Sequence, residues 1–371
     1  MNKLVTVIVF ALVALIARPS YAGQPGNVQD SAAAAATRSD RITPYVSRFG
    51  RSRPVVAVVG ENSGTVLSDF MIPFGVLAQS GVAEVVSVAT QPGLLELTPL
   101  KFRPDATTED FDRRYPDGAD YVVVPAVAKN DDPTLIKWVT AQAAKGATMV
   151  GICNGALVLA NAGLTRGHRA TAHWSTHQMR VRKYPDTQWL KNVRYVADGT
   201  LVTSAGITAA MPTSLALVEA IAGRDRAAAL ALRLGVKDWG TQHNSDAFSL
   251  TFMDGVTAAR NKILSRDIGI PVADGMDEIT LAWQTEAYTA TLRGRVFAVA
   301  DSASPVRTRG GMTLIPDRIA GKDRLDWMLP AQDDTPPGLA LDKALLDITT
   351  RFGPGSARLV VLETEYPWQG L

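Results

Sequence analysis

The residue with the clearest capacity for chemistry is Cys153, the only cysteine in the 371-residue chain. It sits in Gly151-Ile152-Cys153-Asn154-Gly155, after Ala147-Thr148-Met149-Val150 and before Ala156-Leu157-Val158-Leu159-Ala160. A strand ending at Ile152 and a helix starting near Gly155 leave the cysteine in the turn between them. This is the nucleophile-elbow pattern, in which flanking glycines let backbones pack closely around a strained turn. The helix start brings unpaired N–H groups and positive partial charge to the sulfur, an arrangement expected to lower the thiol pKa and to receive a developing anion. A lone cysteine is otherwise a small buried hydrophobe, and in this frame a reactive thiol is the favoured reading. With one cysteine, no internal disulfide can form.

Positioning that turn needs a sheet. Pro54 to Gly60 is an uninterrupted run of mainly valines without alternation, which predicts a strand buried on both faces of a parallel sheet. Strands at 84–89, 121–125, 148–152 and 201–203, with a strand or hairpin near 95–102, alternate with helices at 67–80, 133–145, 155–162 and 211–222. The fold class is α/β: a mostly parallel, flavodoxin-like sheet with helices on both faces, its site beyond the carboxyl ends of the strands.

Met1-Asn2-Lys3, the apolar run Leu4 to Ala17 and the small residues Ser20 and Ala22 read as a signal peptide over residues 1–22, cut before Gly23. The run is shorter than the ~20 residues a membrane span needs, so an uncleaved anchor is the weaker alternative. The expectation is an exported, periplasmic or secreted protein with no membrane contact after cleavage. Residues 23–52 read as a linker. Lys plus Arg number 38 against 36 Asp plus Glu, and loss of Lys3 and Arg18 leaves 36 of each, so no basic surplus supports nucleic-acid binding.

Ile152-Cys153-Asn154-Gly155-Ala156, then Ala162-Gly163-Leu164-Thr165-Arg166-Gly167 and Arg169-Ala170-Thr171-Ala172-His173-Trp174, resemble the ThiJ/PfpI family of the class I glutamine-amidotransferase-like superfamily. Val202-Thr203-Ser204-Ala205-Gly206 and Ser68-Asp69-Phe70-Met71-Ile72-Pro73 continue the resemblance, which covers residues 53 to 222. It is closest to the branch of isocyanide hydratases and of the sensor domains of AraC-type regulators. The resemblance implies Cys153 as nucleophile and Asp69 as the acidic residue that hydrogen-bonds it, the alternative for Asp69 being a helix cap. It places His173 near the thiol, where a Cys–His pair would support attack, the alternative being a histidine at a turn that only orients the cleft, with Trp174 beside the cleft. The backbone N–H groups of Asn154 and Ala126 become the oxyanion donors. Glu61 and Asn62, at the tip of the first strand, either line the cleft or close a capped turn. Asn154 stands where the hydratase has threonine, so the hydratase's substrate cannot be carried over. His168, His177 and His243 lack metal-ligand spacing, and neither a metal nor another cofactor is implied.

The domain plan is therefore a catalytic domain over 53–225 followed by 226–371, where a weaker echo of the first half appears. Val85-Val86-Ser87-Val88-Ala89 resembles Val296-Phe297-Ala298-Val299-Ala300, Phe102-Arg103-Pro104-Asp105-Ala106 resembles Leu314-Ile315-Pro316-Asp317-Arg318, and the stretch from Asp120 to Ala126 resembles that from Asp326 to Ala331. This reads as an incomplete, degenerate repeat without a cysteine. No pair of short helices with clustered arginines follows, which argues against a transcription factor. Two functions remain: a cysteine-dependent hydrolase or hydratase acting on a small amide, isonitrile or reactive carbonyl, or a ligand-binding or redox-sensing module of the same fold. The partner is a small-molecule substrate or ligand, and the chain is a monomer with an internal pseudo-dimer or otherwise a homodimer.

Overall fold

The structure, a computed structural model, describes residues 40–370. The signal-peptide expectation lies outside the described residues, as does the first part of the linker. Residues 40–52, expected to be a free tether, are bound to the body. Ile42 is buried, Tyr45 N–H donates to Ala220 O, and Arg51 pairs with Asp120 at 2.9 Å. One apolar side chain and the long reach of arginine account for the difference.

Seven strands form the main sheet: β1 (Val55–Gly60), β2 (Glu84–Ala89), β3 (Ala106–Thr107), β4 (Tyr121–Val124), β5 (Thr148–Gly151), β6 (Tyr195–Asp198) and β7 (Leu201–Ser204), in the spatial order β6-β7-β5-β4-β1-β2-β3. Every pairing is parallel except the edge pair β6–β7. The valine run of β1 explains its central place. Val56 and Val58 enter one core with helix α1 (Leu67–Ser80) and helix α4 (Ala210–Ala222), while Val55, Ala57 and Val59 enter another with helices α2 (Pro133–Ala144) and α3 (Gly155–Asn161). Both faces are covered, as a strand without polar alternation requires.

Helix α5 (Arg224–Leu234) packs beside α4. The second half then builds a four-stranded parallel sheet from β8 (Arg266–Pro271), β9 (Gly294–Ala300), β10 (Arg318–Ile319) and β11 (Trp327–Met328), in the order β10-β9-β8-β11. The order β3-β2-β1-β4 in the first sheet follows the same plan. Helix α6 (Glu278–Ala290) leads from β8 to β9, as α1 leads from β1 to β2, and helices α7 (Ala340–Phe352) and α8 (Pro354–Thr364) end the chain.

The two halves meet through α1 and α6. Gly75 makes the approach possible: a Cβ there would lie 2.8 Å from Glu278 Cγ and Ile279 Cγ1. A mixed sheet also joins them, with Leu314 opposite Phe102 in an antiparallel pair. Among the described residues no helix is long and apolar enough to cross a membrane.

Candidate active site

β5 delivers the chain to Cys153, whose φ of 54° is left-handed, and α3 starts two residues later. A non-glycine residue in that region costs about 1–3 kcal/mol and persists only where its surroundings enforce it. Here they do. Ile152 N–H bonds Val124 O at 2.9 Å and Gly155 N–H bonds Ile152 O at 2.7 Å, while Cys153 N–H donates to Ser204 Oγ on β7 at 3.2 Å. A Cβ on Gly155 would stand 1.9 Å from Val124 O, and one on Gly151 would stand 2.9 Å from Ala156 N. Both glycines of the frame are thus fixed by close backbone approach.

The electrostatics differ from expectation. Cys153 is only 4% exposed, and burial, followed by the charge of Asp69, pushes its thiol well above the ordinary value. The Asn154 N–H acts in the other direction, as anticipated, but one donor on a seven-residue helix does not offset removal of a thiolate from water. Asp69, on the first turn of α1, is fully buried. Burial drives its carboxyl well above the usual carboxylate range, against the opposing hydrogen bond from Ala126 N–H. Burial thus disfavours the charged form of both groups.

Ala126 N–H donates to Asp69 Oδ2 at 3.1 Å, so this amide, expected to be an oxyanion donor, instead holds the acid in place. Asp69 Oδ1 has no hydrogen-bond partner. The Asp69 carboxyl and the Cys153 thiol each perturb the other's ionisation. Of the two amides proposed for the anion hole, only that of Asn154 bears on the sulfur.

His173 is buried but does not pair with the thiol. Its Nδ1 lies 2.8 Å from Ser175 Oγ and its Nε2 lies 3.1 Å from the carbonyl oxygen of Glu363, so both ring nitrogens are engaged elsewhere. Burial pushes its pKa down. Trp174 is anchored by its Nε1–H to Leu362 O at 2.8 Å and by its backbone N–H to Glu365 Oε2 at 3.0 Å. The Asn154 side chain accepts from Thr176 Oγ1 at 2.9 Å, tying the elbow to the same turn. Glu61 and Asn62 are both engaged by neighbouring loop residues. Ser63 Oγ donates to Glu61 Oε2, and the Asn62 amide makes four bonds to Thr90, Gln91 and Leu94, leaving it nothing with which to line a cleft.

The groups that sequence reasoning missed come from the second half. Glu286 on α6 accepts the N–H of Ser68 at 3.2 Å. It serves the α1 N-terminus, where the N-cap residue Val66 has no side-chain acceptor. Burial lifts Glu286 to about 7 and Glu363 to about 8, the latter with a contribution from Glu286. Both carboxyls also act on Asp69, and Glu363 acts on Cys153. Glu365, in left-handed conformation at the end of α8 (φ 53°), binds His243 Nε2 at 2.9 Å and Ser245 Oγ at 2.7 Å. Burial opposes its ionisation, but hydrogen bonds and the histidines win and hold its pKa below the ordinary value. Arg180, nearly enclosed, donates to His173 O and Thr176 Oγ1. Burial lowers its pKa to about 10. The available signal was an acid flanked by apolar residues, as in Val360-Val361-Leu362-Glu363 and Leu281-Ala282-Trp283-Gln284-Thr285-Glu286, a composition that a solvated helix face does not have.

A cavity of about 360 Å³ opens between the halves beside this cluster, lined among others by Thr208, Met211, His243, Trp283 and Tyr366. His243 links its wall to Glu365. Among the described residues no group of three or more His, Cys, Asp or Glu side chains could hold a metal ion.

Over 143 residues, 37% of this chain and 58% of the relative, the sequence is 34% identical to isonitrile hydratase of Pseudomonas putida. Over 86 residues, 23% of this chain and 25% of the relative, it is 37% identical to the HTH-type transcriptional regulator CdhR of Pseudomonas aeruginosa. The chain thus spans less than two thirds of the length of either relative. Among solved structures, Drosophila melanogaster DJ-1beta is matched over its full length and over 50% of this chain, at 22% identity and a TM-score of 0.45. The stretch that holds α1, the elbow and β7 coincides with the sequence profile of one family: residues 55–220 match the DJ-1/PfpI family.

Proposed function

We propose that this protein is a cysteine-dependent enzyme of hydratase or hydrolase type, with Cys153 as nucleophile and Asp69 as the proton-transfer group, and with isonitriles as the first substrate class to test. The observation that carries the reading is the elbow itself: a cysteine held at φ 54° beside a fully buried carboxyl with one unpartnered oxygen. The similarity to isonitrile hydratase supports the choice of substrate.

For an isonitrile, Asp69 gives its proton to the terminal carbon as Cys153 Sγ bonds to that carbon, and the thiol proton passes to the Asp69 carboxylate. The product is an S–CH=N–R adduct with Asp69 again protonated. A thiol that begins neutral suits this step, because its proton leaves only as the bond to carbon forms. Water then releases the formamide.

Cys153→Ser and Asp69→Asn are tested against wild type on isonitriles, small amides and α-ketoaldehydes. The reading requires turnover of at least one class by wild type and its loss in both variants. A binding or redox-sensing module is the second reading, favoured by the 4% exposure of Cys153. Tight ligand binding by a wild type inert to the whole panel would select it. We further propose that residues 226–371 are a truncated second copy of the first half, supported by the common strand order, and that residues 1–22 direct export.

A further inference from the structure

We propose that Glu363, supplied by the second half, takes the proton from the water that resolves the Cys153 adduct, so that the catalytic site is completed by residues from both halves. This deepens the function proposed above and rests on Cys153 as nucleophile.

The placement comes from the backbone. Glu363 O is fixed by His173 Nε2, Leu362 O by Trp174 Nε1 and Glu365 Oε2 by Trp174 N–H, so the end of α8 lies against the turn at 173–176, which Thr176 ties to Asn154 of the elbow. Among the described residues the Glu363 carboxyl accepts no hydrogen bond from the protein, whereas its neighbours are committed: Glu286 to Ser68, and Glu365 to Trp174, His243 and Ser245. Glu363 is also not sealed in, since its side chain keeps partial exposure although protein surrounds it. A carboxyl enclosed by the fold, partly accessible and without a protein partner has water as its natural partner. The ionisable groups electrostatically coupled to it are Glu286 from α6, Asp69 from α1 and Cys153 from the elbow. Its level near 8 suits a base that exchanges protons close to neutral pH.

The step balances as follows. The water oxygen bonds to the adduct carbon, one water proton goes to the Glu363 carboxylate, and Asp69 protonates the nitrogen. Collapse breaks the C–S bond, the hydroxyl proton returns to Asp69 and the Glu363 proton passes to sulfur. The products are R–NH–CHO and the free thiol, with Asp69 protonated and Glu363 ionised as at the start.

The experiment uses the described chain with cyclohexyl isocyanide as probe. Intact-protein mass spectrometry follows the adduct while product formation is measured from pH 6 to 9.5. For Glu363→Gln the expected result is adduct formation at the wild-type rate, accumulation of the adduct, steady-state turnover lower by about 10²–10⁴-fold, and loss of the limb near pH 8 that wild type shows. Glu363→Asp should restore part of that limb. Wild-type turnover and pH profile in Glu363→Gln would overturn the proposal and leave Cys153 as nucleophile intact. Slowed adduct formation without accumulation would overturn it by assigning Glu363 a structural role. A wild type that neither forms adduct nor turns over the probe would instead overturn the isonitrile reading on which the proposal rests, and the proposal with it.

Discussion

Replacing Gly206 with alanine tests whether the C-terminal segment is held over the site as described. Gly206 has φ −65°, which alanine adopts freely, so any penalty must come from space. A Cβ there would lie 2.3 Å from Glu365 Cβ, 2.7 Å from Glu365 Oε2 and 3.0 Å from His173 Cδ2. The first contact needs a shift of about 1 Å to reach ordinary separation, and Glu365 Cβ sits next to a backbone whose carbonyl is bound by Thr208. Overpacking of this kind costs about 1–3 kcal/mol. Displacing Glu365 also weakens at least one of its charged hydrogen bonds to Trp174, His243 and Ser245, at about 1.5–3 kcal/mol each. The reduced entropy of the unfolded chain returns up to about 1 kcal/mol, so a net loss of about 3 kcal/mol is expected, or a melting temperature lower by about 4 °C. Thermal melting reads the stability, and the rate at which a soluble disulfide reagent labels Cys153 in the native protein reads the site, with labelling expected to accelerate. A loss below about 1 kcal/mol with unchanged labelling would refute the argument that Glu365 and the segment around it are pinned against Gly206.

Two further outcomes follow from the buried acids and the thiol. Glu286 and Glu363 are raised in the folded protein to about 7 and about 8 from the ordinary value of 4.5. Between those limits the unfolded chain has released protons that the folded one retains, so their contribution favours folding fully below about pH 4.5 and is lost as pH rises through about 7 and then 8. Urea titrations at a series of pH values should show wild type losing stability relative to Glu286→Gln/Glu363→Gln across that interval, and parallel curves would contradict the placement of both carboxyls. Labelling of native Cys153 by the same disulfide reagent should be at least about 10-fold slower than labelling of the urea-unfolded chain at pH 8, because burial disfavours the thiolate. Equal rates would mean that the sulfur is open to solvent.

Much of the first half was legible because its signals are local. The valine run of β1 states burial on both faces, and the glycines around Cys153 state a turn that only close backbone approach explains. Asp69 was named through the resemblance, and its carboxyl and the thiol each bear on the other's ionisation. What local reasoning got wrong was the balance of forces. It weighed the helix N-terminus against an ordinary thiol without the burial that dominates, and it read Ala126 N–H as free when Asp69 takes it. His173 was placed near the elbow correctly in sequence, but its ring is turned to Ser175 and Glu363. Glu286 and Glu363 were out of reach for a simpler reason: the contacts that define them join residues 190 or more positions apart, and no period in the sequence encodes such a meeting.

Those long-range contacts bear on the chemistry as well as the packing. Helix α1 begins at Leu67 behind a valine that cannot cap it, so the N–H of Ser68 needs an acceptor from elsewhere, and α6 brings Glu286. The same approach of α6 helps enclose Asp69, whose acid form depends first on burial and then on the negative charges of Glu286 and Glu363. If the second half were withdrawn, water would reach Asp69, its carboxyl would fall toward the usual range, and a carboxylate would face the sulfur in place of a proton donor. A carboxylate there would still take the thiol proton but could not supply one to a substrate carbon as the C–S bond forms. On the proposed function, residues 226–371, though they lack a cysteine of their own, therefore raise Asp69 toward the acid form that would let it supply a proton as Cys153 attacks.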